Sequence, residues 1–74
     1  MTEIESYVIE KVRKMRLERK WSIQALADNI NVSKSFVADV ENSKRRSKYN
    51  LNHVNEIAKV FECSIYDLLP EKPI

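Results

Sequence analysis

Residues 22–42 read S-I-Q-A-L-A-D-N-I-N-V-S-K-S-F-V-A-D-V-E-N, and this stretch admits few folds. Ser22 and Ser33 each stand ahead of a short apolar-periodic run. A serine oxygen there accepts a hydrogen bond from a helical N–H that otherwise has no partner. Trp21 and Leu26 flank the first cap at the spacing of a hydrophobic staple. Ile23, Leu26, Ala27 and Ile30 mark the inner face of the first half, and Val37 and Val40, with Phe36 beside them, that of the second. The break falls at Asn29-Ile30-Asn31-Val32, where Asn31 suits the positive φ angle of a tight turn. Helices this short cannot bury a core alone. The pair must pack on flanking helices, which leaves the outer face of the second one free.

The flanks supply those helices. The spacing of Ile4, Val8, Val12 and Met15 predicts a first helix over 4–19, with Tyr7 and Ile9 widening its stripe. Arg16 falls at the edge of that stripe, where it is either exposed or paired with a carboxylate. The second helix runs from Ile23 to Asn29, and the third from Ser33 or Lys34 to about Asn42. Asn50 caps a fourth, Leu51 to Phe61, with Leu51, Val54, Ile57, Ala58 and Phe61 as its core stripe. His53 lies off that stripe and reads as plain surface. Ser64 caps a fifth helix, Ile65 to Leu69, ended by Pro70, with Ile65, Leu68 and Leu69 closing the core. Residues 1–74 thus form one all-α, five-helix domain, with its core at about 8–69 and a tail at 70–74.

Composition removes several function classes. The chain has no glycine, so a Gly-rich phosphate loop and a dinucleotide-binding turn are both out. Its one cysteine, Cys63, forms no internal disulfide; between Phe61 and Ile65 it reads as a buried small hydrophobe. No nucleophile–base pair, carboxylate pair or metal-ligand spacing is present in the sequence, which argues against an enzyme, a cofactor or a metal. With neither a signal peptide nor an apolar run near a membrane span, a cytoplasmic location is expected. No small-molecule ligand is expected either.

Net charge is +2, but its distribution is uneven. Residues 11–48 carry eleven bases against four acids, whereas both flanks are acidic. Clustering of this kind is the footprint of a polyanion binder. For Lys11, Arg13 and Lys14 a solvated helix face explains the charge equally well. The third helix puts Val37, Val40 and Glu41 inward, and Lys34, Ser35, Ala38, Asp39 and Asn42 outward. An outer face so flat and polar can enter a DNA major groove. Directly after it come Lys44, Arg45, Arg46 and Lys48, spaced by serine and no apolar residue. That position favours a phosphate-contacting segment over a merely solubilising loop.

On these residues the chain resembles the Cro/C1-type helix-turn-helix family, the λ-repressor-like DNA-binding domains. V-R-K-M-R at 12–16, W-S-I-Q-A-L-A at 21–27, I-N-V-S-K-S-F-V-A-D-V-E-N at 30–42 and L-N-H-V-N-E-I-A-K-V-F-E-C-S-I-Y-D-L-L at 51–69 carry the likeness. Their order and spacing together make it specific over about residues 8–69. The resemblance implies a compact five-helix bundle that reads double-stranded DNA as a small transcriptional repressor or regulator. The third helix would enter the major groove, while the second crosses the backbone. It also implies a structural ion pair, Arg16 with Glu41.

Further expectations follow for the interface. Lys34 and Ser35 would meet base edges or phosphate, and Phe36 a thymine methyl. Asp39 would accept from a cytosine amino group, or repel phosphate and so sharpen specificity. Ser22, Ser33, Gln24, Lys44, Arg45, Arg46 and Lys48 would lie along the backbone. The family's glutamine after the second helix's cap is Ile23 here, with Gln24 following, and its usual glycines are replaced by Asn31 and Ser43. Asn42 can then serve as the left-handed cap of the third helix. A homodimer on half-sites about one DNA turn apart is implied, with Tyr49, Asn52, Tyr66 and Leu69 as contacts. The alternative is an antitoxin or interaction module that uses the same fold to bind a protein partner. A bacterial chromosome, phage or mobile element is the expected origin.

Overall fold

A computed structural model describes all of residues 1–74. It contains α1 (Glu3–Glu18), α2 (Ile23–Ile30), α3 (Lys34–Glu41) and α4 (Leu51–Phe61), followed by a 3₁₀ turn at Ile65–Leu68. No strand forms. The expectation of five helices is therefore corrected to four and a turn. Only four residues separate the Ser64 cap from the Leu69–Pro70 exit. Ser64 Oγ accepts from Tyr66 N–H, and Asp67 returns a bond to the Ser64 N–H. Pro70 brings no N–H to extend the ladder, so the segment closes with short-range bonds such as Leu69 N–H to the Tyr66 carbonyl.

Each α-helix opens on a side-chain cap. Thr2 and Glu5 bond reciprocally at α1, which sets its start at Glu3. Ser22 Oγ accepts from Ala25 N–H and Ser33 Oγ from Phe36 N–H, both at 3.0 Å. Asn50 and His53 form the box of α4, with His53 Nδ1 accepting from Asn50 N–H at 3.0 Å. His53 is half-buried, not plain surface, because this bond turns its ring toward Phe36, with centroids 4.8 Å apart.

Fourteen buried side chains make one core, centred on Val12, Leu26, Ala27, Val37, Ile57 and Leu68. α2 packs against α3 and α4, and α1 against α3 and the 3₁₀ turn. Some expected core positions fall outside. Ile4, Leu51 and Ile65 are 41%, 83% and 40% exposed. Ile4 and Leu51 sit in the first turns of their helices and Ile65 opens the 3₁₀ turn, beyond the reach of the packed layer. Ile9 is buried, whereas Tyr7 stays outside. Cys63 is half-buried, and burial, helped by the charge of Asp67, pushes its thiol up and keeps it protonated at neutral pH.

With no glycine available, three other residues take left-handed conformations. Lys20, Asn31 and Glu62 have φ of 59°, 60° and 54°. Each follows a helix and sends the chain back: Trp21 N–H reaches the Arg16 carbonyl, Val32 N–H the Ala27 carbonyl and Cys63 N–H the Ala58 carbonyl. Asn tolerates this geometry, while Lys and Glu pay a Cβ penalty. Asn42, expected to adopt it, is extended at φ −91°. Its side chain instead accepts from Lys44 N–H, starting the loop as an Asx turn. Lys20→Gly and Glu62→Gly should each raise stability by about 1 kcal/mol, and Asn31→Gly by less. Urea denaturation of the three variants measures this.

Candidate nucleic-acid interface

One arginine fixes the geometry of the helix-turn-helix from behind. Arg16 Nε donates to Glu41 Oε2 at 2.9 Å, and its Nη2 to Glu41 Oε1 at 2.7 Å. This is the planar two-pronged pairing that guanidinium and carboxylate favour. The third prong, Nη1, donates to the Trp21 carbonyl at 2.7 Å. A single side chain thus ties α1 to the entry of α2 and to the end of α3. Both partners are almost fully buried, at 8% and 6% side-chain exposure. Arg13 Nε lies 3.6 Å from the same carboxylate and adds charge from the exposed side.

A second tie was not read from the sequence. Arg19 donates to the Phe61 carbonyl at 2.8 Å and reaches the Val60 carbonyl at 3.4 Å. Its guanidinium lies against the rings of Trp21 and Phe61, themselves stacked at 5.1 Å. It therefore caps α4 and fixes the residue that precedes the α2 cap. A cation two residues before a tryptophan, with a phenylalanine ending a later helix, was the available signal.

α3 divides as its periodicity requires. Val37 and Val40 are buried, while Lys34, Ser35 and Asn42 are exposed and Ala38 and Asp39 are half-exposed. Ser35, Asp39 and Asn42, at spacings of four and three, form one outward stripe. Phe36 is not on it. Its ring packs edge-on to Tyr49 at 6.1 Å and tilts on His53, so it braces the base of α3 and does not project toward a thymine. Gln24 is exposed, and its amide donates to Asp28 one turn on, at 2.8 Å. Ser22 and Ser33 spend an acceptor lone pair on their caps, which leaves each hydroxyl hydrogen free to donate outward.

The loop is not uniform either. Lys44 and Arg46 are exposed and form no ion pair, whereas Arg45 Nε stands 3.9 Å from Asp39 Oδ1. Lys48 Nζ is 2.8 Å from Glu5 Oε2, which pins the end of the loop to the start of α1. Tyr49 follows and is buried, with a hydroxyl that has no hydrogen-bond partner in the chain. Burial holds its phenol well above the usual range, and the charge of Glu41 adds to this. Tyr49 is therefore mainly a core residue, which meets the surface only where it lines a groove between α1 and α4. Of the other residues assigned to the dimer contact, Asn52 and Tyr66 are exposed and Leu69 is half-buried.

The lysine bond, with the Thr2 N–H, draws the Glu5 carboxyl down to about 2 from its usual 4.5. A carboxyl depressed on folding contributes stability above the higher value, and this is lost as pH falls toward the lower one. Lys48→Ala should move Glu5 back toward 4.5, though not fully, since the Thr2 bond remains. A carboxyl-carbon NMR titration reads the shift. Arg16→Ala or Glu41→Ala should each cost about 3–5 kcal/mol, because the survivor is left charged and buried. Paired replacement of both by apolar residues should cost less than the two single losses added, as a denaturation double-mutant cycle would show.

Comparison with known proteins places this geometry. The family model described as the Cro/C1-type HTH DNA-binding domain matches residues 11–71. Among solved structures, a hypothetical transcription factor, NHTF from Neisseria, is 25% identical with a TM-score of 0.75, over 92% of this chain and 75% of that one. SinR, the master regulator for biofilm formation, solved in complex with DNA, shares the fold at 20% identity and a TM-score of 0.69, over 82% of this chain and 95% of that one. Hydroxypropylphosphonic acid epoxidase from S. wedmorenis is 26% identical with a TM-score of 0.77 over 95% of this chain, which spans only 36% of that protein. No curated protein matches the sequence.

Proposed function

The chain belongs to the Cro/C1-type helix-turn-helix DNA-binding family, and from that premise we propose that it binds a specific double-stranded DNA site as a small transcriptional repressor or regulator. The observation that carries this reading is the joining of two polar surfaces. The outward stripe of α3 and the loop that follows meet through Asp39 and Arg45, and the unpaired Lys44 and Arg46 flank Arg45 in the chain. Lys34 and Ser35 lie at the leading end of α3 for base edges or phosphate. Lys44 and Arg46, free of acidic partners, supply phosphate contacts. The N-terminus of α2, with its unpaired first N–H groups and the Ser22 hydroxyl, suits a further phosphate. The epoxidase likeness covers about a third of that protein and transfers no chemistry to this chain.

Assembly as a homodimer belongs to the same proposal. Ile4, Leu51 and Leu69 border a groove between α1 and α4, over Val8 and Val54. Leu51 is 83% exposed at its edge, and the cationic loop ends at its rim in the paired Lys48. A second copy seated there would cover apolar side chains and set two α3 helices on successive turns of a two-fold DNA site. No helix of the chain is long and apolar enough to cross a membrane, and action on DNA in the bacterial cytoplasm completes the proposal.

Fluorescence-anisotropy titrations over a range of salt test it, using duplexes that include the gene's own upstream region. Binding should fall steeply with salt, and the bound species should hold two chains. Lys44→Ala and Arg46→Ala should weaken all duplexes alike, each lowering the log–log salt slope by about 0.9. Capture of a protein partner with no salt-sensitive duplex affinity would favour the interaction-module reading instead.

A further inference from the structure

Asp39 is an acid on a face that would meet a polyanion, and Arg45 stands beside it. We infer that Asp39 reads a cytosine amino group in the major groove and that Arg45 is its positioning partner, holding the carboxylate and an adjacent phosphate at once. The inference rests on the DNA-binding reading above and extends it to one base of the operator.

Asp39 is in line with exposed Ser35 and Asn42, and its carboxylate is 47% exposed. None of its oxygens accepts a hydrogen bond from the chain itself; at 3.9 Å the Arg45 nitrogen is held by charge and is too long for one. The carboxylate is thus free at both oxygens to accept. Its one partner in the chain is the exposed Arg45, unlike Glu41, which is bonded inward to Arg16.

An ionised carboxylate only accepts. On the major-groove edge guanine offers O6 and N7 and thymine O4, all acceptors that repel it. Adenine offers a donor at N6, but its N7 acceptor lies alongside. Cytosine alone presents its N4 amino group with no adjacent acceptor on the same base. A carboxylate in this groove therefore selects cytosine, and the phosphate field selects against its entry unless a cation accompanies it. Arg45 meets that need. Its guanidinium is 65% exposed with donors to spare, and a planar fork serves two anions together. Arg46, with no acid near it, does not share this role.

Selection of bound duplexes from a random pool, run in parallel on the wild type, Asp39→Ala, Asp39→Asn, Arg45→Ala and Arg46→Ala, tests the inference. Circular dichroism confirms the fold of each. The wild type should enrich cytosine at one position of each half-site, about tenfold or more over the other bases. Asp39→Ala should lose that preference while still binding DNA. Asp39→Asn should move it to adenine, whose N6 and N7 match an amide. Arg45→Ala should weaken binding and flatten the cytosine column, and Arg46→Ala should weaken binding with the column intact. A wild-type site without a cytosine that depends on Asp39, or equal columns for the two arginine variants, overturns the inference and leaves DNA binding standing. Absence of any duplex binding by the wild type overturns both.

Discussion

The setting of α2 and α3 against α1 depends on Arg16. Its three donors go to three places: two to the Glu41 carboxylate and one to the Trp21 carbonyl. α3 is eight residues long and α2 no longer, so neither holds its orientation by its own ladder. Hydrophobic packing of Val37 and Val40 is non-directional and would tolerate rotation of α3 about its axis. The arginine fork does not. By fixing Glu41 from behind, it sets the angle at which Ser35 and Asp39 point away. A buried pair of this kind adds less to stability than its strength implies, since desolvation offsets the attraction. What it supplies is register, the orientation of α3 relative to α1 and to the start of α2.

Acids then sort the cations. Of the four basic residues after α3, Lys48 is held by Glu5 and Arg45 faces Asp39, while Lys44 and Arg46 have no acidic partner. The charge run that looks uniform in the sequence alternates, free at Lys44 and Arg46 and paired at Arg45 and Lys48. The Lys48 tie has a structural purpose. Beyond Lys48 the chain buries Tyr49 and caps α4 with Asn50, so the loop is anchored on both sides, by α3 and by Tyr49. Its span is thereby shortened, and a short anchored loop loses less entropy on meeting a phosphate than a free one.

The helices, caps and most of the core were legible from periodicity and from Ser22, Ser33 and Asn50, because capping is local chemistry. What was not legible depended on the third dimension. Leu51 has the right spacing for a core stripe yet stands 83% exposed, since periodicity reports the face of a helix and not whether another element covers that face. His53 was assigned to the surface and Phe36, beside the inner face of α3, to a thymine methyl; the two rings instead turn toward each other, with Tyr49 packed edge-on to both. The pairing of Arg16 with Glu41 came from family resemblance; spacing alone left Arg16 either exposed or in need of some carboxylate. Arg19 was missed because its partners are backbone carbonyls more than forty residues away, and carbonyls leave no mark on a sequence.

The absence of glycine also connects to how the outward face is held. Helix ends that must reverse direction usually recruit glycine, and here Lys20 and Glu62 do so against steric preference. Both lie beside the ties that matter. Lys20 separates Arg19 from Trp21, and Glu62 directly follows Phe61, whose carbonyl Arg19 caps. Glycine at either point would relieve the backbone in the native state and widen the unfolded ensemble as well. The same freedom would loosen the join between α1, α2 and α4 on which Trp21 stacks. Strain accepted at two turns is thus matched to rigidity at one corner, and that corner carries the cap of α2. Under the DNA-binding role proposed above, a chain that must present a short polar helix at a set angle has more use for that stiffness than for the stability it forgoes.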